Sequence, residues 1–333
     1  MSKYSYFSRR KFFNSLKLLF IFLLTSCTRI SRNISIGFQK SFFPESFKSL
    51  LPNIWDKENI DLKDIYNSNN IQKYKKIDYL LVNDGWINNL KFDDFKNLDK
   101  ELFLKLDDKS KNYLRRFDIN IRNKLFPIGV IPYAVVIKNN SATKNISNKS
   151  WNFLISKDLK GKIILPNSPR ILISIAKRID DQKALNKLLN QQNIYDDKNA
   201  LDWLLNSKAA AAVMPYSLCK KYLKIDSRLS LFFPITGVPL IWQFVMSKTY
   251  ASQEPLLELI KSLENYNAFE KLKREGWFVP FRGININNAY STKYKTKNNG
   301  PSYECWENSW SLPPINEEEK KKIEILWKRY LTP

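Results

Sequence analysis

The sequence predicts an α/β protein of two lobes, and three observations carry that reading. Short apolar runs that suit strands alternate with helical patterns along almost the whole chain, as in parallel or mixed sheets covered by helices. Turn signals such as Asn83-Asp84-Gly85 and Pro166-Asn167-Ser168-Pro169 fall directly after those runs, which places crevices beyond the carboxyl ends of strands. The chain has 333 residues, and the roughly 307 beyond its first 26 are too many for one compact core and comfortable for two.

The first element is an address rather than a unit of the fold. In residues 9–27, RRKFFNSLKLLFIFLLTSC, a basic start leads into an apolar stretch whose uninterrupted part is only Leu18 to Leu24, followed by small residues. A helix needs about 20 apolar residues to cross a bilayer core, so this segment does not span one. Its three-part layout is that of an export signal over residues 1–26. Ser8-Arg9-Arg10-Lys11-Phe12-Phe13 resembles the twin-arginine motif, and Leu24-Thr25-Ser26-Cys27 resembles a bacterial lipobox. The expectation is a periplasmic protein anchored to a membrane by a lipid on Cys27. The alternative is that Cys27 is merely the small residue near an ordinary cleavage site.

Ile34 to Phe38 is apolar at alternate positions and reads as the first strand. Pro44 to Leu51 opens a helix on a first-turn proline, with Phe47, Leu50 and Leu51 on one face. The apolar runs Ile77 to Val82 and Val130 to Ile137 suit strands buried on both faces. Lys162 to Leu165 is a further strand, its turn leading into the helix RILISIAKRI. Leu201, Leu204 and Leu205 recur at helical spacing before a small apolar strand, Ala209 to Met214. Pro255 to Leu263, Ala268 to Leu272 and Glu317 to Tyr330 read as helices, Trp277 to Arg282 as extended, and Asn287 to Tyr303 as loop. There is no internal repeat and no low-complexity tract.

Composition removes several classes of function. The chain has no histidine, which eliminates imidazole acid-base catalysis and every His-ligated metal site. Cys27, Cys219 and Cys305 are too few and too separated for a zinc motif, and Cys219 and Cys305 either pair or stand as isolated thiols. Eight glycines include no phosphate-cradling loop, and no carboxylate pair is marked as catalytic. No enzyme, cofactor or metal is expected. The excess of 55 Lys+Arg over 32 Asp+Glu is scattered, and Lys320 to Lys322 follow Glu317 to Glu319 at ion-pairing helical spacing. The charge therefore reads as a solvated surface, against the alternative of nucleic-acid or anionic-surface binding.

Four stretches resemble the spermidine/putrescine-type family of ABC-importer solute-binding proteins: KKIDYLLVNDGWINNL (75–90), SWNFLISKDLKGKIILPNSPR (150–170), AAAVMPYS (210–217) and FFPITGVPLIWQFVMSK (232–248). The likeness follows the order of landmarks over essentially the whole mature chain, and the second stretch is the most specific. It implies a periplasmic-binding-protein-like fold of type II, two lobes joined by two crossing segments near Tyr133 to Lys138 and Gln243 to Lys248. The lobes would comprise 34–138 plus 244–285, and 139–243 plus 286–333. It also implies a monomer that closes around a small-molecule ligand and docks on a membrane permease. A protein of this fold that serves instead as a periplasmic sensor or structural lipoprotein is the alternative, and a ferric-ion site of clustered tyrosines, with Tyr216 its one strong candidate, is a weaker variant.

Polyamine binders of that family hold ammonium groups with carboxylates and sandwich the methylene chain between aromatic rings, because a desolvated cation needs an anion and favours a π-face. Here the positions flanking Arg170 are Ser168 and Ile171, and the Trp-x-Asp pattern becomes Ile241-Trp242-Gln243-Phe244. Asp84 is the remaining candidate anion, with a turn or helix-cap role as its alternative. The resemblance places Trp86, Tyr133, Tyr216 and Trp242 around the ligand, completed by Phe38 and Gln39, although in an aromatic-rich chain such residues also fill cores. Ser168 before Pro169 reads as a helix cap that aims free backbone N–H groups into the crevice. With Arg170 beside it, the site suits a neutral, zwitterionic or anionic ligand, or a monoamine clamped by Asp84.

Overall fold

The computed structural model describes residues 33–39, 43–62, 68–139, 150–196, 198–283, 300–312, 314–315 and 317–331. The leader and Cys27 lie outside the described residues. So does most of the expected loop, and the part of it that is described ends in the first turn of a helix at Tyr303.

The chain runs through β1 (Ser35–Phe38), α1 (Glu45–Leu50), β2 (Asp56–Asn59), α2 (Ser68–Lys76) and β3 (Tyr79–Asn83). Three short helices follow, α3 (Lys100–Leu104), α4 (Asp108–Leu114) and α5 (Ile119–Arg122). Asp99, Asp107 and Asp118 precede them, and each carboxylate accepts a backbone N–H of the first turn, which satisfies a donor the helix leaves open. Then come β4 (Phe126–Lys138), β5 (Ile163–Leu165), α6 (Pro169–Ala176), α7 (Ala184–Gln191), β6 (Gln192–Tyr195), α8 (Ala200–Asn206), β7 (Ala211–Pro215), α9 (Tyr216–Cys219) and β8 (Leu229–Phe232). The last elements are β9 (Pro239–Ser247), α10 (Glu254–Leu263), α11 (Tyr266–Arg274), α12 (Tyr303–Asn308), β10 (Trp310–Ser311) and α13 (Glu317–Leu331).

Among the described residues the strands are linked in the order β2-β1-β3-β9-β4-β7-β5-β6, with β10 on β9 and β8 on β4. The sheet is mixed. β1 is parallel to β2 and β3, and β5 is parallel to β6 and β7, whereas β9 and β4 run antiparallel to their main-sheet neighbours. β4 belongs to both halves: Phe126 to Pro132 pair with β9, and from Tyr133 onward the strand pairs with β7 and β8. The first passage between halves therefore falls between Pro132 and Tyr133.

The second passage differs from the sequence expectation. β8 pairs with the far end of β4 and β9 pairs with β3, so the chain changes halves between Phe232 and Pro239, before Gln243 to Lys248. Residues 133–138 consequently pair in the second half-sheet, and 239–243 in the first. The physical reason is that an apolar run shows that a strand is buried without showing which neighbour it pairs with. The C-terminal helix returns to the second half, where α13 packs on α6 and Trp327 meets Tyr195 edge-on at 4.9 Å. On its outer face Lys322 pairs with Glu318 at 2.6 Å, one of the helical ion pairs expected there.

The passage from β8 to β9 turns on Gly237. Its φ is +94°, its carbonyl accepts the buried indole N–H of Trp151 at 2.9 Å, and a Cβ there would lie 2.1 Å from the carbonyl oxygen of Asn308. Gly237→Ala combines left-handed strain with a backbone clash and is expected to destabilise the fold by about 2 kcal/mol or more. Urea unfolding followed by tryptophan fluorescence measures it; an unchanged midpoint would show that this passage is free to move aside.

Candidate functional site

β1 and β3 are parallel neighbours and end at the same edge of the first half-sheet. β3 ends in Asn83, and the turn that follows is stabilised by the Asn83 side chain, whose Oδ1 accepts the N–H of Gly85 at 3.0 Å. This turn delivers Asp84 into the interior rather than to a helix cap. Its backbone N–H donates to the carbonyl of Trp242 at 3.0 Å, and its Oδ2 accepts the hydroxyl of Tyr113, on α4, at 3.0 Å. Arg170, in the first turn of α6 in the other half of the molecule, acts on the same carboxylate electrostatically. Burial pushes the Asp84 carboxyl up to about 6, an effect that the Arg170 guanidinium and the Tyr113 hydroxyl oppose. Burial likewise pushes the Tyr113 hydroxyl upward, reinforced by the Asp84 charge.

Trp242 and Tyr113 are stacked with centroids 5.0 Å apart, and the indole N–H of Trp242 donates to Ser311 Oγ at 2.7 Å. Gln243 follows on the opposite face of β9, directly across from Asn83 on one side and Gly129 on the other. It is 0% exposed, and neither Oε1 nor Nε2 has a hydrogen-bond partner among the described residues. Gln39, half-buried after β1, has its Oε1 in the same condition. Phe38 packs edge-on against Phe43 at 5.6 Å.

The remaining predicted positions are spread over both halves. Trp86 is half-buried after β3, and Tyr133 is buried where β4 changes partners. Tyr216 opens α9, is 0% exposed, meets Phe233 edge-on at 5.1 Å and accepts a hydrogen bond from the buried ammonium of Lys220. Ser168 stands at the N-cap position of α6 with Pro169 after it, but its side chain makes no capping hydrogen bond, contrary to the sequence expectation. Cys219 and Cys305 are both free and buried.

A cavity of about 460 Å³ opens between the halves, with Phe43, Pro44 and Lys48 on one side and Asn199, Ser217 and Tyr222 on the other. None of the ten predicted ligand positions lines it, though Ser217 directly follows Tyr216 and Phe43 touches Phe38. The sequence left Tyr113, Ser311 and Phe43 unmarked. Tyr113 in DKSKNYL looks like any core residue of an amphipathic helix, and only Ser217, by adjacency, carried a usable signal.

No family model matches the sequence, and no curated protein matches it. Solved structures do. The spermidine/putrescine ABC transporter substrate-binding protein PotD from Streptococcus pneumoniae, in complex with calcium and HEPES, aligns with a TM-score of 0.67 at 14% identity, over 89% of this chain and 98% of that one. The Tp0655 (TpPotD) lipoprotein of Treponema pallidum aligns at 0.61 and 11% over 89% and 98%, and Trichodesmium IdiA (FutA), in complex with iron and citrate ligands, at 0.63 and 11% over 90% and 99%. The chain has the type II periplasmic-binding-protein fold. The predicted residues divide between the two halves, Asp84, Trp242 and Gln243 in the first, Ser168, Arg170 and Tyr216 in the second.

The buried carboxyl has a pH signature. The folded-state value of Asp84 lies above that of an unfolded aspartate, so the folded chain holds the extra proton between about pH 4 and 6 and stability falls as pH rises through that window. Asp84→Asn removes this term. Its unfolding free energy is expected to drop less than that of the parent between pH 4 and 6.5, by about 2–3 kcal/mol. Urea denaturation at both pH values tests it, and equal drops would show the carboxyl ionised throughout.

Proposed function

We propose that this chain is the exported substrate-binding component of an ABC-type importer, capturing a small organic solute between its two lobes and delivering it to a membrane permease. The fold supports the reading, as do the cavity between the lobes and the convergence of polar side chains from both at the strand ends. The role is binding rather than catalysis. Among the neighbours, one is the substrate-binding protein of a spermidine/putrescine transporter and another holds iron and citrate, so this architecture accommodates cargo of either charge.

The observation that bears most on the ligand is the environment of Asp84, buried and within the electrostatic reach of Arg170. A carboxylate at the end of β3 serves a ligand ammonium best when its ionisation is cheap and its charge unopposed, and here burial pushes the Asp84 carboxyl up to about 6 while the Arg170 guanidinium acts on it from the other half. The ligand is therefore neutral, zwitterionic or anionic rather than a polyamine. Titration calorimetry of the mature protein with putrescine and spermidine is expected to show no saturable binding, whereas Arg170→Ala, which frees Asp84, gains at least roughly tenfold in putrescine affinity. Tight binding of either polyamine by the parent protein overturns this assignment.

Among the described residues no helix is long and apolar enough to cross a membrane. We assign membrane attachment to a lipid on Cys27, in keeping with the lipobox-like stretch Leu24 to Cys27 and with a neighbour that is itself a lipoprotein. Expressed full length in a bacterium, the protein is expected to partition into detergent and incorporate labelled fatty acid, and Cys27→Ala to lose both. A Cys27→Ala variant that still carries the label would refute the anchor.

A further inference from the structure

We infer that the far end of the second half carries a binding site of its own, separate from the seam, for a phosphate group borne by a small ester or by a lipid headgroup. The inference stands independently of the receptor reading above. Lys157 to Leu159 form a single 3₁₀ turn, and Lys160 closes it by donating its backbone N–H to the carbonyl of Lys157. Side chains three residues apart eclipse in that geometry, so Lys157 and Lys160 leave the turn on one side. α7 packs against the helical turn Trp151–Ile155 just before it, and carries Lys187, Asn190 and Gln191 at the three- and four-residue spacing that shares one helix face. The two elements converge, and all five residues line a cavity of about 420 Å³.

Three of the five lining residues are cationic and none is acidic. Lys157, Lys160, Lys187 and Asn190 are solvent-exposed, so the cavity is open to a ligand, while the buried Gln191 is held in place by its Nε2, which donates to the carbonyl of Ser156 at 2.8 Å. Lys187 pairs with Asp181, which lies outside the lining, whereas Lys157 and Lys160 make no ion pair among the described residues. Ammonium groups gathered around one space repel one another, and an anion placed between them turns that repulsion into attraction. A flat carboxylate is best matched by the fork of a guanidinium, which this cavity lacks; a tetrahedral phosphate, with oxygens turned several ways, suits separate ammonium groups approaching from two elements. The volume admits a small ester as well as the phosphate itself. The location is not that of the cleft. Lys157 to Lys160 precede β5, Gln191 directly precedes β6, and the two strands are parallel, so the cavity lies at their amino ends. Ser168 and Arg170 follow β5 at its carboxyl end, the edge at which α/β sheets take their cargo.

The test titrates the mature protein with glycerol phosphate at low ionic strength by calorimetry, and sediments it with vesicles of phosphatidylglycerol and, as the neutral control, of phosphatidylcholine. Saturable binding of at least one anionic probe is expected. Lys157→Gln combined with Lys160→Gln is expected to weaken it roughly tenfold or more. Lys57→Gln combined with Lys73→Gln, which removes the same charge from exposed positions in the first half, is expected to leave it unchanged. All four positions are on the surface, so both variants keep the fold. Retention on phosphatidylglycerol that the first pair of substitutions abolishes and the second preserves places the phosphate on a lipid; binding of glycerol phosphate without such retention places it on a free ester. A parent protein that binds neither probe, or variants that weaken binding alike, overturns the site, the latter showing diffuse surface charge. Neither result bears on the receptor reading, which rests on the other end of the strands.

Discussion

The architecture depends on one strand changing hydrogen-bond partners in mid-course. β4 has thirteen residues, twelve of them buried, and its first half is bonded to β9 while its second is bonded to β7 and β8. Proline has no N–H to give a ladder and is ordinarily confined to sheet edges and irregularities, yet β4 contains Pro127 and Pro132. Both fall where the missing donor does least harm. Pro127 adjoins the register shift before Gly129, and Pro132 is the last residue paired to β9, with Tyr133 the first paired to β7. The prolines therefore mark the points at which the ladder is interrupted anyway, and the second of them is where one half-sheet gives way to the other.

Much of this was readable because it is local. β1, β3, β4, β5 and β7 are runs of apolar residues buried on both faces, and α6, α10 and α11 carry one-sided apolar spacing. What escaped depends on backbone pairing rather than side chains. β2 is Asp-Lys-Glu-Asn, exposed along most of its length, and is a strand only because β1 offers it an edge; its charges then discourage further pairing there. β10 is two residues long and exists by courtesy of β9. The second passage was placed too late for the same reason, since FFPITGVPL reads as continuous with the strand it leads into.

The candidate site divides along the same line. Asp84 was visible because strand ends in α/β sheets are where ligands meet the chain, and Asn83-Asp84-Gly85 announces such an end. Its partners were not, because Tyr113 and Arg170 are remote in sequence and lie on different lobes. Sequence could count the acids lost around Arg170, but only the fold brings the arginine's field to the acid that remains. The aromatic positions were foreseen as a ring around a ligand, whereas Trp242 spends its face on Tyr113 and its N–H on Ser311, and Tyr216 its edge on Phe233.

A guanidinium whose field reaches a buried carboxyl alters what a cleft can select. Closure strips water from whatever lines the seam, and an unpaired charge there is penalised far more heavily than an unpaired amide. In a polyamine receptor the ligand itself cancels the charge, so closure without ligand is opposed. Here burial favours the protonated form of Asp84 and the Arg170 guanidinium acts on the charge that remains, so less is left for a cation to cancel. On β9 and just after β1 the buried polar atoms without partners among the described residues, those of Gln243 and Gln39 Oε1, are uncharged. A carboxyl whose ionisation is already penalised by burial, and which stands in the field of a guanidinium, gives a cation less to bind than a solvated acid would, and this sets Asp84 apart from the ligand acids that the resemblance implies.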